Sequence, residues 1–474
     1  MNRSIRHLSV VAGLLIFALL ANVTLSYLLR GDALNNNSQN RRVTEAQFGA
    51  PRGAILVGNT PVVQTLPADG RFAYLRTYAD GPLYAPVTGY YSYIYSRSKL
   101  ESAYNSALAG TDSAQALQRL LDQLAGRQTT GSSLQTTINA KAQQAAWNAL
   151  QGHRGAIVAL DYTTGAILAY VTAPSYDPSL LASGDLDATQ QAWDSLNADP
   201  TRPMADRAGR EVYPPGSTFK LVTAAAALEA GWTPDSQVDA PPQLTLPGTS
   251  VQLGNDASCG PARITLQRAL QVSCNTAFAN VGLSVGADAL YAQAEKFGFN
   301  SNFGADVNSA TSRFPAGIDQ AQTAMSAIGQ YEVAASPLQM AVVAGAIANN
   351  GLVMEPYFVS QVQAPDLSVS KHTPVSLGQA VSLSTAQQLQ QMMQSVVTAG
   401  SGGRAQVSGL TIGGKTGTAQ SDKVRSPYAW FVGYATELHV AVCVFVEDSE
   451  TNEDQTGGRT AAPIFQKVVQ AFKG

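Results

Sequence analysis

The eight residues YPPGSTFK, Tyr213 to Lys220, run directly into the apolar stretch LVTAAA, Leu221 to Ala226. This change from proline and glycine to an apolar, alanine-rich run predicts a helix that begins near Ser217. Ser217 and Lys220 are three positions apart and therefore share one face of that helix. A serine needs an adjacent base to attack at neutral pH, and a lysine serves when burial or a neighbouring cation lowers its pKa. The segment is therefore typical of a serine nucleophile with a lysine base.

Two further short motifs follow along the chain, Ser273-Cys274-Asn275 and Lys415-Thr416-Gly417. Serine three residues before lysine and serine two residues before asparagine are weak signals alone, because each pattern also occurs elsewhere in this chain. Lys-Thr-Gly occurs once, inside a strand-like stretch whose glycines permit close approach of a substrate. The three motifs in this order are the set found in penicillin-binding proteins and serine β-lactamases.

Runs of β-type residues lie at both ends of residues 133–474, with long helical patterns between them. Four of these runs form two predicted hairpins, Ala156–Leu160 with Ala166–Val171 and Ala429–Ala435 with Leu438–Val446. An apolar-periodic helix, Pro463–Phe472, follows the second hairpin. This order predicts an α/β (α+β) domain in which both chain ends form an antiparallel sheet that is flanked by helices and carries an inserted all-helical lobe.

The chain is almost continuously apolar from Leu8 to Leu29, which is long enough to cross a hydrocarbon core of ~30 Å as a helix. The run outlasts the apolar core of a signal peptide and has no small-x-small cleavage site, so we interpret residues 8–29 as a transmembrane signal anchor. Arginines flank both sides, and the positive-inside rule does not fix the orientation. The short tail before the helix and the long chain after it favour a cytoplasmic segment 1–7 with nearly everything else translocated.

Residues 30–132 are predicted to form a stalk and a smaller, mixed, non-catalytic domain. The stalk, Gly31 to Gln47, is polar and has no apolar period. Short β-type runs, a tyrosine-rich stretch around Tyr90–Tyr95 and an amphipathic pattern from Leu100 to Leu124 follow it. A Gly/Thr/Ser cluster at Gln128–Ser133 marks the predicted boundary, so the second domain is residues 133–474.

Composition excludes several classes of function. The 474 residues exceed what one hydrophobic core usually organises, and 13% charged residues with a net charge of -3 do not fit a nucleic-acid-binding protein. Three cysteines and four scattered histidines match no zinc site, and no other pattern calls for a metal or a cofactor. We therefore expect no metal, no cofactor and no nucleic-acid partner.

The chain resembles the class B penicillin-binding proteins, most closely the penicillin-binding protein A type, over most of its length. The segments that carry this resemblance are Tyr213–Lys220, Ser273–Asn275, Ile328–Gln330, Ser336–Ala341, Gly414–Gln420 and Ala429–Tyr434. The stretch from Val87 to Glu101 resembles the non-catalytic pedestal domain of the family more weakly. Tyr331 departs from the family, which more often has glycine at that position, and this departure leaves the shape of its loop open.

The resemblance implies a peptidoglycan D,D-transpeptidase that cross-links stem peptides ending in D-Ala-D-Ala. Ser217 would attack the penultimate D-Ala carbonyl, release terminal D-Ala and form an acyl-enzyme, which the amine of a second stem peptide resolves. Lys220 would take the proton of Ser217. Ser273 would relay a proton to the leaving amine, and Asn275 would hydrogen-bond the substrate amide and hold Lys220.

Further site residues follow from the same resemblance. Lys415 would supply the positive potential that keeps Lys220 neutral, and the substrate-binding segment Thr416-Gly417-Thr418 would place two hydroxyls on the carboxylate of the donor. The backbone N–H groups of Ser217 and Thr418 would form the oxyanion hole. β-Lactam antibiotics would be trapped here as covalent acyl-enzymes, because their leaving group stays tethered.

The resemblance also implies a single-pass protein of the cell membrane with an extracytoplasmic catalytic domain. In that location Cys259 and Cys274 could pair as a disulfide. The implied partner is a lipid-linked glycan polymerase of the shape, elongation, division and sporulation family, contacted through the anchor and the first domain. Whether the role lies in cell division or in cell shape is left open.

Three alternatives share this fold: a D,D-carboxypeptidase, a β-lactamase, and a sensor or scaffold that binds β-lactams without turnover. A class A β-lactamase needs a glutamate that activates the deacylating water. Glu295, Glu332 and Glu355 lie between Asn275 and Lys415, but none has a setting typical of that element. Intact motif residues argue against an idle scaffold without excluding it.

Overall fold

The computed structural model of the protein describes residues 3–35, 41–112, 130–304, 306–419, 426–449 and 455–473. The first helix, Arg3–Asn35, contains the segment Ile5–Ser26, which is long and apolar enough to cross a membrane, with a mean hydropathy of 2.4. A second helix, Arg41–Phe48, lies in and just beyond the predicted stalk. The side chain of Phe48 packs against Phe72 and Tyr91, so this end of the stalk is anchored to the folded body.

The amino-terminal unit is built on a six-stranded sheet to which distant parts of the chain contribute. In spatial order its strands are Val369–Lys371, Val359–Gln363, Ser133–Thr136, Ile55–Val57, Thr60–Pro67 and Tyr74–Tyr78. All neighbours are antiparallel except Ile55–Val57 and Ser133–Thr136, which are parallel. The predicted boundary at residue 132 therefore falls immediately before a strand of this shared sheet.

Short elements accompany this sheet in the described part of the amino-terminal unit. They are the helices Gly81–Thr88, Lys99–Ala103 and Asn105–Leu108 and the paired strands Tyr91–Ser92 and Ser96–Arg97. The helix predicted over Leu100–Leu124 is thus broken at Tyr104, and residues 113–129 of that prediction lie outside the described part of the chain. Glu101 is fully buried and forms ion pairs with Arg76 at 2.6 Å and Arg52 at 3.0 Å, which ties the helix Lys99–Ala103 to the sheet.

The carboxy-terminal unit is built on a five-stranded antiparallel sheet, and both chain ends form it, as predicted. Its strands in spatial order are Ile412–Ala419, Tyr428–Ala435, Val440–Ser449, His153–Asp161 and Ile167–Ala173. Alternate residues of the central strands enter two different cores. Ala441, Cys443 and Phe445 face one core, whereas Val442 and Val444 face the other, so apolar residues occupy both faces as in a sheet covered on both sides.

Helices cover both faces of this sheet. Pro337–Ala348, buried along almost its whole length, packs on one face, while Ala140–Ala149 and Ala462–Phe472 pack on the other. The remaining α-helices are Leu186–Ala198, Lys220–Glu229, Leu266–Gln271, Asn275–Val285, Ala287–Lys296, Gln320–Ser326 and Leu383–Ala399. Short helical turns lie at Pro178–Leu181, Gly216–Thr218, Gly403–Ala405 and Gly457–Ala461. Three small strand pairs, Gln237–Asp239 with Arg263–Thr265, Gln243–Thr245 with Gln252–Gly254, and Leu352–Met354 with Ser376–Gln379, complete the unit.

Candidate active site

Ser217 lies at the start of the predicted helix. The backbone makes a 3₁₀ turn over Gly216–Thr218 and continues into the α-helix Lys220–Glu229. The Thr218 hydroxyl donates to the Pro215 carbonyl at 2.7 Å and fixes the turn. Ser217 retains 6% of its exposure and lines two adjoining cavities of about 490 and 550 Å³. The hydroxyl of position 217 is therefore reachable from a cleft although the helix behind it is buried.

Lys220 and Lys415 are joined through the Ser273–Asn275 segment. The Lys220 amine donates to Asn275 Oδ1 at 2.7 Å and to the Ser273 carbonyl at 2.8 Å. The Lys415 amine donates to Ser273 Oγ at 2.8 Å and to the Thr416 carbonyl at 2.8 Å. Both amines belong to side chains with no solvent exposure. The structure thus brings together the five predicted catalytic positions: four in this hydrogen-bond network, and Ser217 on the cavity walls that include Ser273 and Asn275.

Burial controls the charge of the two lysines. It lowers the pKa of Lys220 well below its ordinary value, the neighbouring Lys415 lowers it further, and Asp256 raises it. Burial also lowers the pKa of Lys415 to about 7, with an opposing effect from Asp256. The family resemblance assigned this effect to Lys415, whereas in the structure removal from water is the larger cause of the lowered pKa of Lys220. A neutral Lys220 can accept a proton.

The loop before the Ser273 motif is attached to it at three points. Asn255 Oδ1 accepts hydrogen bonds from the backbone N–H groups of Asn275 at 2.8 Å and Thr276 at 3.0 Å, so it caps the helix Asn275–Val285 from another segment. Asn275 Nδ2 donates to the Gly254 carbonyl at 3.2 Å. Cys259 and Cys274 form a disulfide in this structure. Asn255 carries no motif, and sequence reasoning missed it.

The strand Ile412–Ala419 places alternate side chains on opposite sides. Thr416 and Thr418 line the cavities, and Thr416 Oγ1 lies 2.7 Å from Ser401 Oγ. A Cβ atom at Gly417 would lie 2.8 Å from Thr218 Cγ2 and 3.0 Å from the Trp430 side chain. The structure therefore places Gly417 at the contact between this strand and the serine turn, where the absence of a side chain lets the two approach.

A second glycine contact fixes the serine turn from the opposite side. Gly216 donates to the Gly329 carbonyl at 3.0 Å, and a Cβ atom at Gly329 would lie only 2.1 Å from the Gly216 carbonyl oxygen. Gly329 also has a φ of 75°, in the left-handed region. Tyr331, where the resembled family more often has glycine, has a φ of 62°. The loop thus keeps a left-handed backbone at a position where glycine adopts it more easily.

No cluster of three or more histidine, cysteine, aspartate or glutamate side chains suited to a metal ion is found within the described ranges. The site combines a serine hydroxyl in a cleft, a buried amine of lowered pKa one helical turn away and a second buried amine that donates to Ser273 Oγ. This arrangement suits acyl transfer through a serine ester.

Residues 155–470 match the family described as penicillin binding protein transpeptidase domain, and residues 52–134 match penicillin binding protein A dimerisation domain. The chain belongs to the penicillin-binding protein transpeptidase family. The predicted family is thereby confirmed. The chain of this penicillin-binding protein is 42% identical to peptidoglycan D,D-transpeptidase PbpA of Mycolicibacterium smegmatis, over 99% of each chain. It is 40% identical to the protein of the same name from Mycobacterium tuberculosis strain H37Rv, again over 99% of each.

Solved structures support the same fold. Penicillin-binding protein A from M. tuberculosis, as its ceftriaxone acyl-enzyme complex, matches with a TM-score of 0.87 and 40% identity over 91% of this chain and 100% of that one. The penicillin G acyl-enzyme complex of that protein matches with a TM-score of 0.84 and 41% identity, over 90% and 100%. The predicted penicillin-binding-protein fold class is confirmed.

The contact between Gly329 and Gly216 predicts a sharp difference between two glycines of this penicillin-binding protein. We expect Gly329→Ala to lower the rate of acylation by a fluorescent penicillin at least ~10-fold, because the added methyl group displaces the backbone that carries Ser217. The matched control is Gly286→Ala, where φ is 91° but the Cβ position is open. That variant meets only the backbone strain, roughly 1–3 kcal/mol of stability, and should acylate normally. Equal acylation rates in the two variants would contradict the role of the contact.

Proposed function

We propose that this protein is a membrane-anchored, serine-type peptidoglycan D,D-transpeptidase that is inhibited covalently by β-lactams. The observation that carries the proposal is the buried network in which the Lys220 amine, with its lowered pKa, is linked through Ser273 to Lys415 beside the cleft of Ser217. The names of the relatives, peptidoglycan D,D-transpeptidase, and the acyl-enzyme structures of the M. tuberculosis protein support it.

In the proposed acylation step, neutral Lys220 takes the proton of Ser217. The Ser217 oxygen attacks the penultimate D-Ala carbonyl carbon, and backbone N–H groups of Ser217 and Thr418 stabilise the oxyanion. Both of these residues line each of the two cavities. As the C–N bond breaks, Ser273 donates its proton to the leaving nitrogen and takes up the proton held by Lys220, so Lys220 is neutral again and terminal D-Ala departs.

The carboxylate of the donor peptide is proposed to bind in the cavity that contains Thr416 and Thr418. This cavity also contains Arg404 and Arg459, which sequence reasoning did not single out. Two guanidinium groups beside two hydroxyls suit a carboxylate, because such charge-assisted hydrogen bonds are the stronger kind. Asn275 lines the other cavity. In this proposal it hydrogen-bonds an amide group of the remaining peptide there.

The acyl-enzyme is proposed to be resolved by an amine and not by rapid hydrolysis. Efficient hydrolysis in a class A β-lactamase requires a glutamate that activates water. The described residues that line the two cavities include no glutamate, and Glu295, Glu332 and Glu355 are not among them. Hydrolytic turnover of β-lactams is therefore disfavoured. The carboxypeptidase and sensor alternatives are distinguished by the products formed from donor and acceptor stem peptides.

We further propose a single-pass topology in which residues 1–7 are cytoplasmic, 8–29 span the membrane, and the domains 30–132 and 133–474 are extracytoplasmic. One helix of suitable length and an acyl-transfer site for cell-wall peptides support it. The exposed helix and the unit 30–132 would contact a glycan polymerase of the shape, elongation, division and sporulation family. Protease added to spheroplasts should remove the catalytic domain in this topology, and a protected domain would contradict it.

The charge of Lys415 predicts a shift in the pH dependence of acylation. Acylation needs neutral Lys220, so its rate falls on the acid side as that amine becomes protonated. Lys415→Met removes the positive charge that lowers the pKa of Lys220. That pKa then rises, and the acid limb of the profile should move to higher pH. The measurement is the second-order rate of penicillin acylation across pH. An acid limb that stays in place or moves to lower pH would show that Lys220 is not the base.

Mass spectrometry of the protein after benzylpenicillin tests the proposed function directly. We expect one covalent adduct on the peptide that contains Ser217, persisting for many minutes, and its complete loss in Ser217→Ala. A matched control is Ser92→Ala, which changes a buried serine of the amino-terminal unit. Rapid loss of the adduct indicates a hydrolase. Donor and acceptor stem peptides then distinguish the alternatives: a cross-linked product supports a transpeptidase, free D-Ala alone a carboxypeptidase, and neither product a sensor.

A further inference from the structure

The two cavities beside Ser217 meet at residues that line both of them, and one is a carboxylate. Ser217, Thr418 and Asp256 belong to both walls. Arg404 and Arg459 make one cavity cationic, whereas Asp256 is the single charged residue among the described residues that line the other. A negative charge thus lies at the junction of the cavities, beside the nucleophile.

The Asp256 carboxylate is not used to hold the protein together. Asp256 is exposed, and its carboxylate makes no hydrogen bond or ion pair with another described residue. Its charge nevertheless raises the pKa of both Lys220 and Lys415, so it lies close enough to act on both amines. The carboxylate therefore faces the reactive part of the cleft and is free to meet a ligand.

The backbone that carries Asp256 is held firmly to the Ser273–Asn275 segment. Its neighbour Asn255 caps the helix that starts at Asn275, the Gly254 carbonyl accepts from Asn275 Nδ2, and the disulfide Cys259–Cys274 closes the loop three residues later. These contacts fix the position of the carboxylate relative to the relaying serine. An unpaired charge on a rigid backbone is a pre-organised binding group.

We propose that Asp256 binds the ammonium group of the acceptor stem peptide, the amine that receives the acyl group. This inference rests on the proposed transpeptidase function and adds the recognition of its second substrate. The acceptor nitrogen must occupy the place that the leaving nitrogen vacated, between Ser217 and Ser273, and the cavity that contains both residues also contains Asp256. A primary alkyl amine is protonated at neutral pH, so a carboxylate at this point attracts and orients it.

The transfer step is balanced as follows in atoms and charge. The bound ammonium releases one proton to solvent, and the resulting amine attacks the ester carbonyl carbon. A C–N bond forms, the C–O bond to Ser217 breaks, and the second proton of the nitrogen passes through Lys220 to Ser217 Oγ. Asp256 positions the nitrogen and is unchanged, so its removal should affect capture of the amine more than formation of the ester.

The experiment compares two nucleophiles on the same acyl-enzyme. Full-length protein is acylated with a D-alanyl thioester donor in the presence of a stem peptide with a free side-chain amine or of hydroxylamine, which is neutral near physiological pH. The ratio of amide to hydrolysis product is measured by mass spectrometry. We expect Asp256→Asn to lower this ratio about tenfold or more for the stem peptide and to leave it unchanged for hydroxylamine. Asp256→Glu should retain most of the capture.

The ratio of amide to hydrolysis product does not depend on the rate of acylation. A change in that rate, such as one caused by the lower pKa of Lys220 when Asp256 is neutralised, therefore does not affect the comparison. Asp235→Asn, an exposed aspartate outside both cavities, is the matched control and should behave as the natural protein. Equal ratios in Asp256→Asn and the natural protein, or equal losses for both nucleophiles, would overturn the inference while leaving the transpeptidase function standing. A natural protein that forms no amide with either nucleophile would overturn both.

Discussion

The site depends on two amines that are held out of water on either side of one serine hydroxyl. Lys220 and Lys415 have no exposed side-chain surface, and both lie next to Ser273. A charged amine in such a place loses its hydration, and two charged amines would also repel each other, so both effects lower the pKa of Lys220 and favour its neutral form. Burial is the larger of the two causes, so the fold must keep water away from these side chains.

The sheet and the helices around it provide that exclusion from three directions. The buried helix Lys220–Glu229 carries one amine, the strand Ile412–Ala419 carries the other, and the helix Asn275–Val285 begins between them. The strand approaches the serine turn closely because Gly417 has no side chain. The first and last parts of the carboxy-terminal unit supply all five strands of the sheet. The position of Lys415 therefore depends, through the central strands Tyr428–Ala435 and Val440–Ser449, on pairing with the strand His153–Asp161, more than 250 positions earlier in the chain.

Local patterns were enough to predict the motifs that meet at the cleft, both hairpins and two of the helices around them, Lys220–Glu229 and Ala462–Phe472. Alternating apolar residues and a serine before an apolar helix are signals that neighbouring residues carry by themselves. The six-stranded sheet was not predictable in this way, because Ser133–Thr136 and Val359–Gln363 are short strands whose pairing is fixed only by the tertiary fold. Asn255 and Asp256 belong to no motif for a related reason. Asn255 makes its contacts across loops, Asp256 reaches the cleft only through the fold, and nothing in the local sequence indicates either.

Strained backbone occurs at the cleft as well as elsewhere in the chain. Positive φ values among the described residues other than glycine, asparagine and aspartate occur at Ser96, Lys99, Arg202, Ser273, Tyr331, Leu367 and His439. Ser273 and Tyr331 adopt this conformation at roughly 1–2 kcal/mol each. Ser273 lies on the cleft wall, and Tyr331 follows Gln330, which lies on it too. Such strain persists only where surrounding contacts fix the backbone. The disulfide and the Asn255 cap do so beside Ser273, and the contact of Gly329 with Gly216 does so beside Tyr331. Of these contacts only the disulfide was expected from the sequence, whereas the Asn255 cap and the contact of Gly329 with Gly216, which help to hold the predicted residues in place, were not.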